Sequence, residues 1–146
     1  MERRIVDEEI ALVPYYSNYG TALNWYQDAE LCKQVDNRDS VYDLPRLKKM
    51  YTVLKERGDL FYIKYRGRLC GDVCLQRNGE VNIVVAKPWQ NKGIGRRVIA
   101  ELIRLAKVRQ IPRLQATIYT FNTQSQRMFT SVGFCKVADE LYLLEL

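Results

Sequence analysis

Residues Val81 to Arg96, Val-Asn-Ile-Val-Val-Ala-Lys-Pro-Trp-Gln-Asn-Lys-Gly-Ile-Gly-Arg, combine types and spacing suited to seating a diphosphate. The run 81–86 is apolar and mostly β-branched, as a strand buried on both faces should be, and Lys87-Pro88 stops it. A helix is expected to begin near Gly95. Gly93 and Gly95 lack a Cβ, so main chain can approach a ligand closely, and the unpaired N–H groups of the first helical turn point at whatever lies ahead. An anion suits them. The positive end of the helix dipole adds to those donors, with Lys92, Arg96 and Arg97 supplying formal charge.

Two commoner phosphate motifs do not fit. A Walker A loop needs Gly-Lys-Ser/Thr where this chain has Gly95-Arg96-Arg97, and the dinucleotide fingerprint needs a third small residue where Val98 stands. A second motif follows, Asn122-x-x-Ser125-x-x-x-Phe129-x-x-x-Gly133-Phe134. Asn122 is a good helix N-cap, Met128, Phe129 and Val132 recur at helical spacing, and Gly133 closes the helix.

The spacing Gln90-x-x-Gly93-x-Gly95 resembles the pyrophosphate signature of the GNAT family of N-acetyltransferases, and the Asn-capped helix ending in Gly-Phe resembles that family's closing signature. The order of elements agrees over about residues 60 to 140. The resemblance implies acetyl-CoA as co-substrate, no metal, and two parallel strands splayed apart around the cofactor. It further implies that main chain at Ile83, Val84 and Val85 pairs with the pantetheine arm. Gln90 and the loop Asn91, Lys92, Gly93, Ile94, Gly95 and Arg96 would surround the diphosphate, and Asn122, Ser125 and Phe129 would line the arm.

Amine acetylation needs a neutral amine, donors for the developing oxyanion and a proton source for the departing thiolate. Main-chain N–H near Val85 would serve the oxyanion. The chain has no histidine, so a carboxylate takes the base's part: Glu80 is the first choice, and Asp72 on the neighbouring hairpin strand the second. In many family members a Tyr stands seven residues after the helix-starting Asn and protonates the thiolate, whereas this chain has Phe129 there. Tyr119 and Tyr142 are the substitutes considered.

The acceptor leaves weaker marks. Trp25-x-x-Asp28 is similar to an element of the branch that includes ribosomal-protein N-terminal and aminoglycoside acetyltransferases. Trp25, Tyr26 and Asp28 are accordingly the acceptor candidates. Tyr15, Tyr16, Tyr19 and Tyr42 together with Asp36 and Asp39 suit a cationic amine, because aromatic faces and carboxylates both attract positive charge. A small cationic amine is favoured. A protein N-terminus and a non-catalytic coenzyme A binding module are the alternatives, the latter sustained by Phe129.

Composition narrows the rest. At 146 residues the chain is expected to form a single domain over 1–146. The charged start and the lack of a long apolar run argue against a signal peptide and a membrane span, and point to a cytoplasmic protein. The net charge is +6, but residues 1–43 carry four basic against nine acidic side chains, so the remainder holds +11. That division suits a cationic acceptor on one side and a polyanionic cofactor on the other. Nucleic-acid binding would want aromatics interleaved with Lys and Arg on an open sheet face, and no such pattern occurs. A homodimer is left open. Cys32, Cys70, Cys74 and Cys135 show no Cys-x-x-Cys spacing and read as reduced thiols.

Periodicity supplies the scaffold. Strands are expected at 10–13, 60–65, 68–76, 81–86, 113–119, about 134–138 and 141–146, and helices at 19–35, 44–57, 95–109 and 122–132. The turns Arg66-Gly67 and Asn78-Gly79 join hairpin strands. The strand at 113–119 returns parallel to that at 81–86 through a helical crossover. The expected class is α/β, a mixed sheet of about six to seven strands with about four helices.

Overall fold

The computed structural model describes all residues, Met1–Leu146. The chain runs β1 (Arg4–Ile5), β2 (Ile10–Pro14), α1 (Tyr19–Trp25), α2 (Ala29–Asp36), α3 (Leu44–Arg57), β3 (Gly58–Tyr65), β4 (Arg68–Gln76) and β5 (Val81–Val85). A 3₁₀ turn at Lys87–Trp89 leads to α4 (Ile94–Val108), β6 (Arg113–Thr117), α5 (Thr123–Ser131), β7 (Cys135–Ala138) and β8 (Leu141–Glu145). The eight strands and five helices slightly exceed the expected numbers. The short β1 went unforeseen, and the helix expected over 19–35 is two helices. The break falls where Asp28 caps α2, its side chain accepting from the N–H of Leu31 at 2.9 Å.

Strands β1-β2-β3-β4-β5 form one antiparallel sheet, and β6-β8-β7 form another. The expected single mixed sheet is therefore divided. Between β5 and β6 one parallel bridge survives, Glu80 with Gln115, where the Gln115 N–H donates to Gly79 O at 3.0 Å. Gly79 makes that approach feasible. A Cβ there would stand 2.2 Å from Arg113 O, and the backbone is left-handed at φ +93°. Beyond this joint the two strands part, and the gap is the cleft that positions the site.

Alternation along the large sheet separates two cores. On one face Ile10, Leu12, Phe61, Ile63, Val73 and Leu75 pack with Val98, Ile99 and Leu102 of α4 and Phe129 of α5. On the other, Leu60, Tyr62, Cys74 and Val84 pack with Trp25, Tyr26, Leu31, Leu47 and Tyr51 of the first three helices. The cleft edge of β5 lies between these two layers, within reach of both.

Candidate active site

The edge of β5 that faces the cleft follows from its register with β4. Val84 lies opposite Asp72, the Ala86 N–H donates to Cys70 O at 2.8 Å, and the Gln76 N–H donates to Glu80 O at 2.9 Å. Antiparallel hydrogen bonding alternates along a strand, so Val84 and Ala86 spend their main-chain groups on β4. Those of Ile83 and Val85 turn the opposite way, into the cleft. Of the three residues expected to offer main chain to a ligand, Val84 is thus corrected: it offers a buried side chain instead. Val85 O accepts from Nε2 of Gln90 at 2.9 Å, and Oε1 of Gln90 is buried without a donor.

The loop and helix start expected to seat a diphosphate lie beside this edge. Gly93 is the N-cap of α4 in left-handed conformation, φ +75°, and no side chain caps the helix. The N–H groups opening a 15-residue helix are therefore left for whatever lies in front of it. A Cβ at Gly95 would face Met128 at 3.5 Å and Ile83 at 4.0 Å, so the bare backbone there borders the space between α4, α5 and β5. Arg96 and Arg127 line the cavity without a carboxylate partner; Lys92 is exposed outside the lining. Arg97 is redirected. Its Nη1 donates to Asp7 Oδ2 and Glu9 Oε1, both at 3.0 Å, while Nε and Nη2 donate to the carbonyls of Gly93 and Lys92 at 3.2 Å. It clamps the loop rather than facing an anion.

A cavity of about 810 Å³ runs from the cradle, past the freed edge of β5, to Asp72 and the helices α2 and α3. Asp72 is 2 % exposed, and its Oδ2 accepts from the hydroxyls of Tyr26 at 2.7 Å and Tyr51 at 2.8 Å. Burial pushes its carboxyl up to about 6, against the opposing pull of the two hydroxyls. The tyrosines move upward as well, burial first and the neighbouring carboxylate second, so they remain proton donors. At the mouth, Gln34 of α2 ties the walls together. Its Oε1 accepts from Gln90 at 3.2 Å and its carbonyl from Asn122 Nδ2 at 3.3 Å.

The residues named from sequence separate into two groups. Asp72, Tyr26, Ile83, Val84, Val85, Gln90, Asn91, Gly93, Ile94, Gly95, Arg96, Asn122, Ser125 and Phe129 share the one cavity. Asn122 caps α5 by accepting from the N–H of Ser125, and Phe129 packs edge-on against Phe134 at 5.0 Å. Glu80, Tyr119, Tyr142, Trp25 and Asp28 lie outside the lining. Glu80 sits at the closed end of the splay, beside its bridge to Gln115. Tyr119 stacks on Phe121, Tyr142 is buried in the core opposite Ala116, and Trp25 packs edge-on against Tyr62. Tyr15 and Tyr16 also pack on Tyr62 and lie outside the lining. Cys70 and Cys74, pushed up to about 12 by burial, are inert thiols, and no group of side chains is arranged to hold a metal.

Gln34, Tyr51 and Arg127 were not found from sequence. No local pattern marks Gln34 or Tyr51, whose partners lie 56 and 21 positions away. Arg127 carried a signal, since it lies one residue before Met128 on a helix already assigned to the cleft.

Comparison with known proteins agrees with this fold. A model described as Acetyltransferase (GNAT) family matches residues 22–134. A search of curated proteins by sequence gives no match. Among solved structures, the chain is similar to an acetyl transferase of Salmonella typhimurium that modifies the N-terminal serine of ribosomal protein L7/L12, with TM-score 0.78, 13% identity and 99% of each chain covered. It is also similar to a ribosomal L7/L12 alpha-N-protein acetyltransferase in complex with coenzyme A, with TM-score 0.82, 14% identity and 99% and 98% coverage. A third is the microcin C7 self-immunity acetyltransferase MccE in complex with acetyl-CoA and AMP, with TM-score 0.73, 16% identity and 97% and 94% coverage. At such identities the likeness is one of fold.

Proposed function

Because this chain belongs to the acetyltransferase (GNAT) family, we propose that it moves the acetyl group of acetyl-CoA to a primary amine seated beside Asp72, both substrates being held at once in the cleft. The observation that carries this is the placement of a buried carboxylate, already hydrogen-bonded by two tyrosines, in the same cavity as an uncapped helix N-terminus.

The site fits acetyl-CoA on three features: the uncapped start of α4, the main chain of Ile83 and the N–H of Val85 left unpaired by β4, and the donorless Oε1 of Gln90. The first turn of α4 with Arg96 and Arg127 would hold the diphosphate, and the β5 edge with Asn122 the pantetheine arm. When bound, acetyl-CoA supplies the acyl group as a thioester, whose C–S bond is exchanged for an amide C–N bond while sulfur leaves with one of the amine's protons.

Asp72 takes the first proton. A carboxylate near 6 is ionised at neutral pH yet basic enough to accept from an ammonium, and its Oδ1 is left for that donor because both tyrosines use Oδ2. Tyr26 and Tyr51 fix the carboxylate's orientation. The Val85 N–H, turned into the cleft, is the donor for charge developing on the acyl oxygen. Phe129 cannot protonate sulfur, so the second proton passes from the amine through water. The test is release of free coenzyme A thiol from acetyl-CoA with a panel of amines. Acetyl-CoA that binds without release for any amine would make the chain a binding module instead.

A further inference from the structure

The acceptor end of the cavity has a charge pattern that amine transfer alone does not demand. Leu31 and Val35 of α2 and Met50 and Leu54 of α3 line it, with two carboxylates, Asp36 and Asp72. Asp36 is already occupied. Its Oδ2 pairs with the guanidinium of Arg46 and accepts from the Tyr42 hydroxyl at 3.2 Å. The other acids expected from sequence to attract a cation are also spent elsewhere, Asp28 on capping α2 and Asp39 beside Lys33 at the surface. Asp72 alone among the lining carboxylates has no cationic partner. The cationic lining side chains, Arg96 and Arg127, belong to the cradle elements α4 and α5.

Size is limited too. Gln34 ties α2 to both walls of the cleft, and the cavity of about 810 Å³ must hold the pantetheine arm as well as the acceptor. That volume lies within the range of a single small-molecule site.

Resting on the transfer proposed above, we infer that the acceptor is a small amine with one positive charge and an apolar body, of the alkyl or arylalkyl class, and that polycations are rejected. One ammonium meets Asp72. Every further ammonium would be drawn from water into a lining of Leu31, Val35, Met50 and Leu54 with no carboxylate to receive it, whereas a hydrocarbon body gains by the same burial.

The test measures thiol release from acetyl-CoA with phenethylamine, spermidine, kanamycin and a hexapeptide with a free N-terminal serine. We expect kcat/KM for phenethylamine to exceed that for each of the others at least 100-fold. Met50→Asp sets a second unpaired carboxylate in the lining, on the half-buried face of α3, and should narrow the gap to spermidine at least tenfold. Spermidine or kanamycin equal to or better than phenethylamine overturns the inference, and a better peptide moves the acceptor to protein N-termini. Calorimetry of the same amines against the coenzyme A-saturated protein separates the two claims. If nothing is turned over, the transfer fails, but tighter binding of phenethylamine still supports the acceptor class, and equal or tighter binding of spermidine still refutes it.

Discussion

The hydroxyl of Tyr26 donates to Oδ2 of Asp72 at 2.7 Å, joining the end of α1 to the middle of β4 across 46 positions of sequence. Tyr51 of α3 reaches the same oxygen. Two helices are thus anchored on one buried acid, and the acid is held with its other oxygen free. An arrangement that fixes a carboxylate so firmly serves both packing and chemistry, and the two roles pull stability in opposite directions.

The first prediction concerns that conflict. Burial raises Asp72 from 3.8 to about 6, so the native state binds its proton more tightly than the unfolded chain. Stability therefore falls as pH rises from about 4 to 6, and the whole cost, roughly 2 to 3 kcal/mol, stands above pH 7. Asp72→Asn removes the charge and keeps an oxygen for both tyrosines. Thermal melts should show the variant above its parent at pH 8, with the gain vanishing below about pH 4. A lower melt at pH 8 contradicts the burial cost.

Gly95→Val tests the cradle. The new Cβ meets Met128 at an ordinary 3.5 Å, so the fold should survive, while the branched methyls enter the space that a diphosphate needs. Calorimetry should show acetyl-CoA binding weakened at least tenfold, about 1.4 kcal/mol or more. Unchanged affinity in a folded variant would remove the anion site from this helix.

Arg97→Gln tests the clamp. Loss of its four contacts to Asp7, Glu9, Gly93 and Lys92 frees the cradle loop. Affinity for acetyl-CoA should fall several-fold, while affinity for acetyl-pantetheine, which lacks the diphosphate, should hold. Equal losses for both would assign Arg97 to general stability.

Phe129→Tyr tests the missing acid. The ring is 4 % exposed, packs on Phe134 and also borders the cavity, so a para hydroxyl has the cleft to open into. Turnover equal to or above that of the parent, with little change in melting temperature, is the expected result. A hydroxyl trapped in the core instead would cost about 1 to 3 kcal/mol and appear as a lowered melt.

Backbone requirements were the legible part of this chain. The strand at 81–85, the left-handed Gly93, the bare Gly95 and the Asn122 cap each need a particular residue at a particular place, and the sequence carries those residues in order. Side-chain roles were harder. Asp28 looked like an acceptor ligand, although Asp28-Ala29-Glu30 at the head of an amphipathic stretch is also a helix start, which the continuous reading of 19–35 passed over. Glu80 and Asp72 are both acids beside the cleft strand. Only the register of β4 on β5, with helices packed on one face, decides that Asp72 enters the cavity while Glu80 sits at the closed joint. Gln34 left no trace because its partners are set by tertiary packing.

The central claim is that Asp72 takes the proton of an ammonium in a cleft that also holds acetyl-CoA, and the pH dependence of kcat/KM for phenethylamine tests it most directly. With Asp72 as base the parent should be level between about pH 7 and 9 and fall below about 6, where the carboxylate is protonated. Asp72→Asn should lose at least 100-fold at pH 7, and its rate should climb with unit slope toward the amine's own pKa, because only amine already neutral in water can react. Parent and variant profiles of the same shape and height would contradict the account.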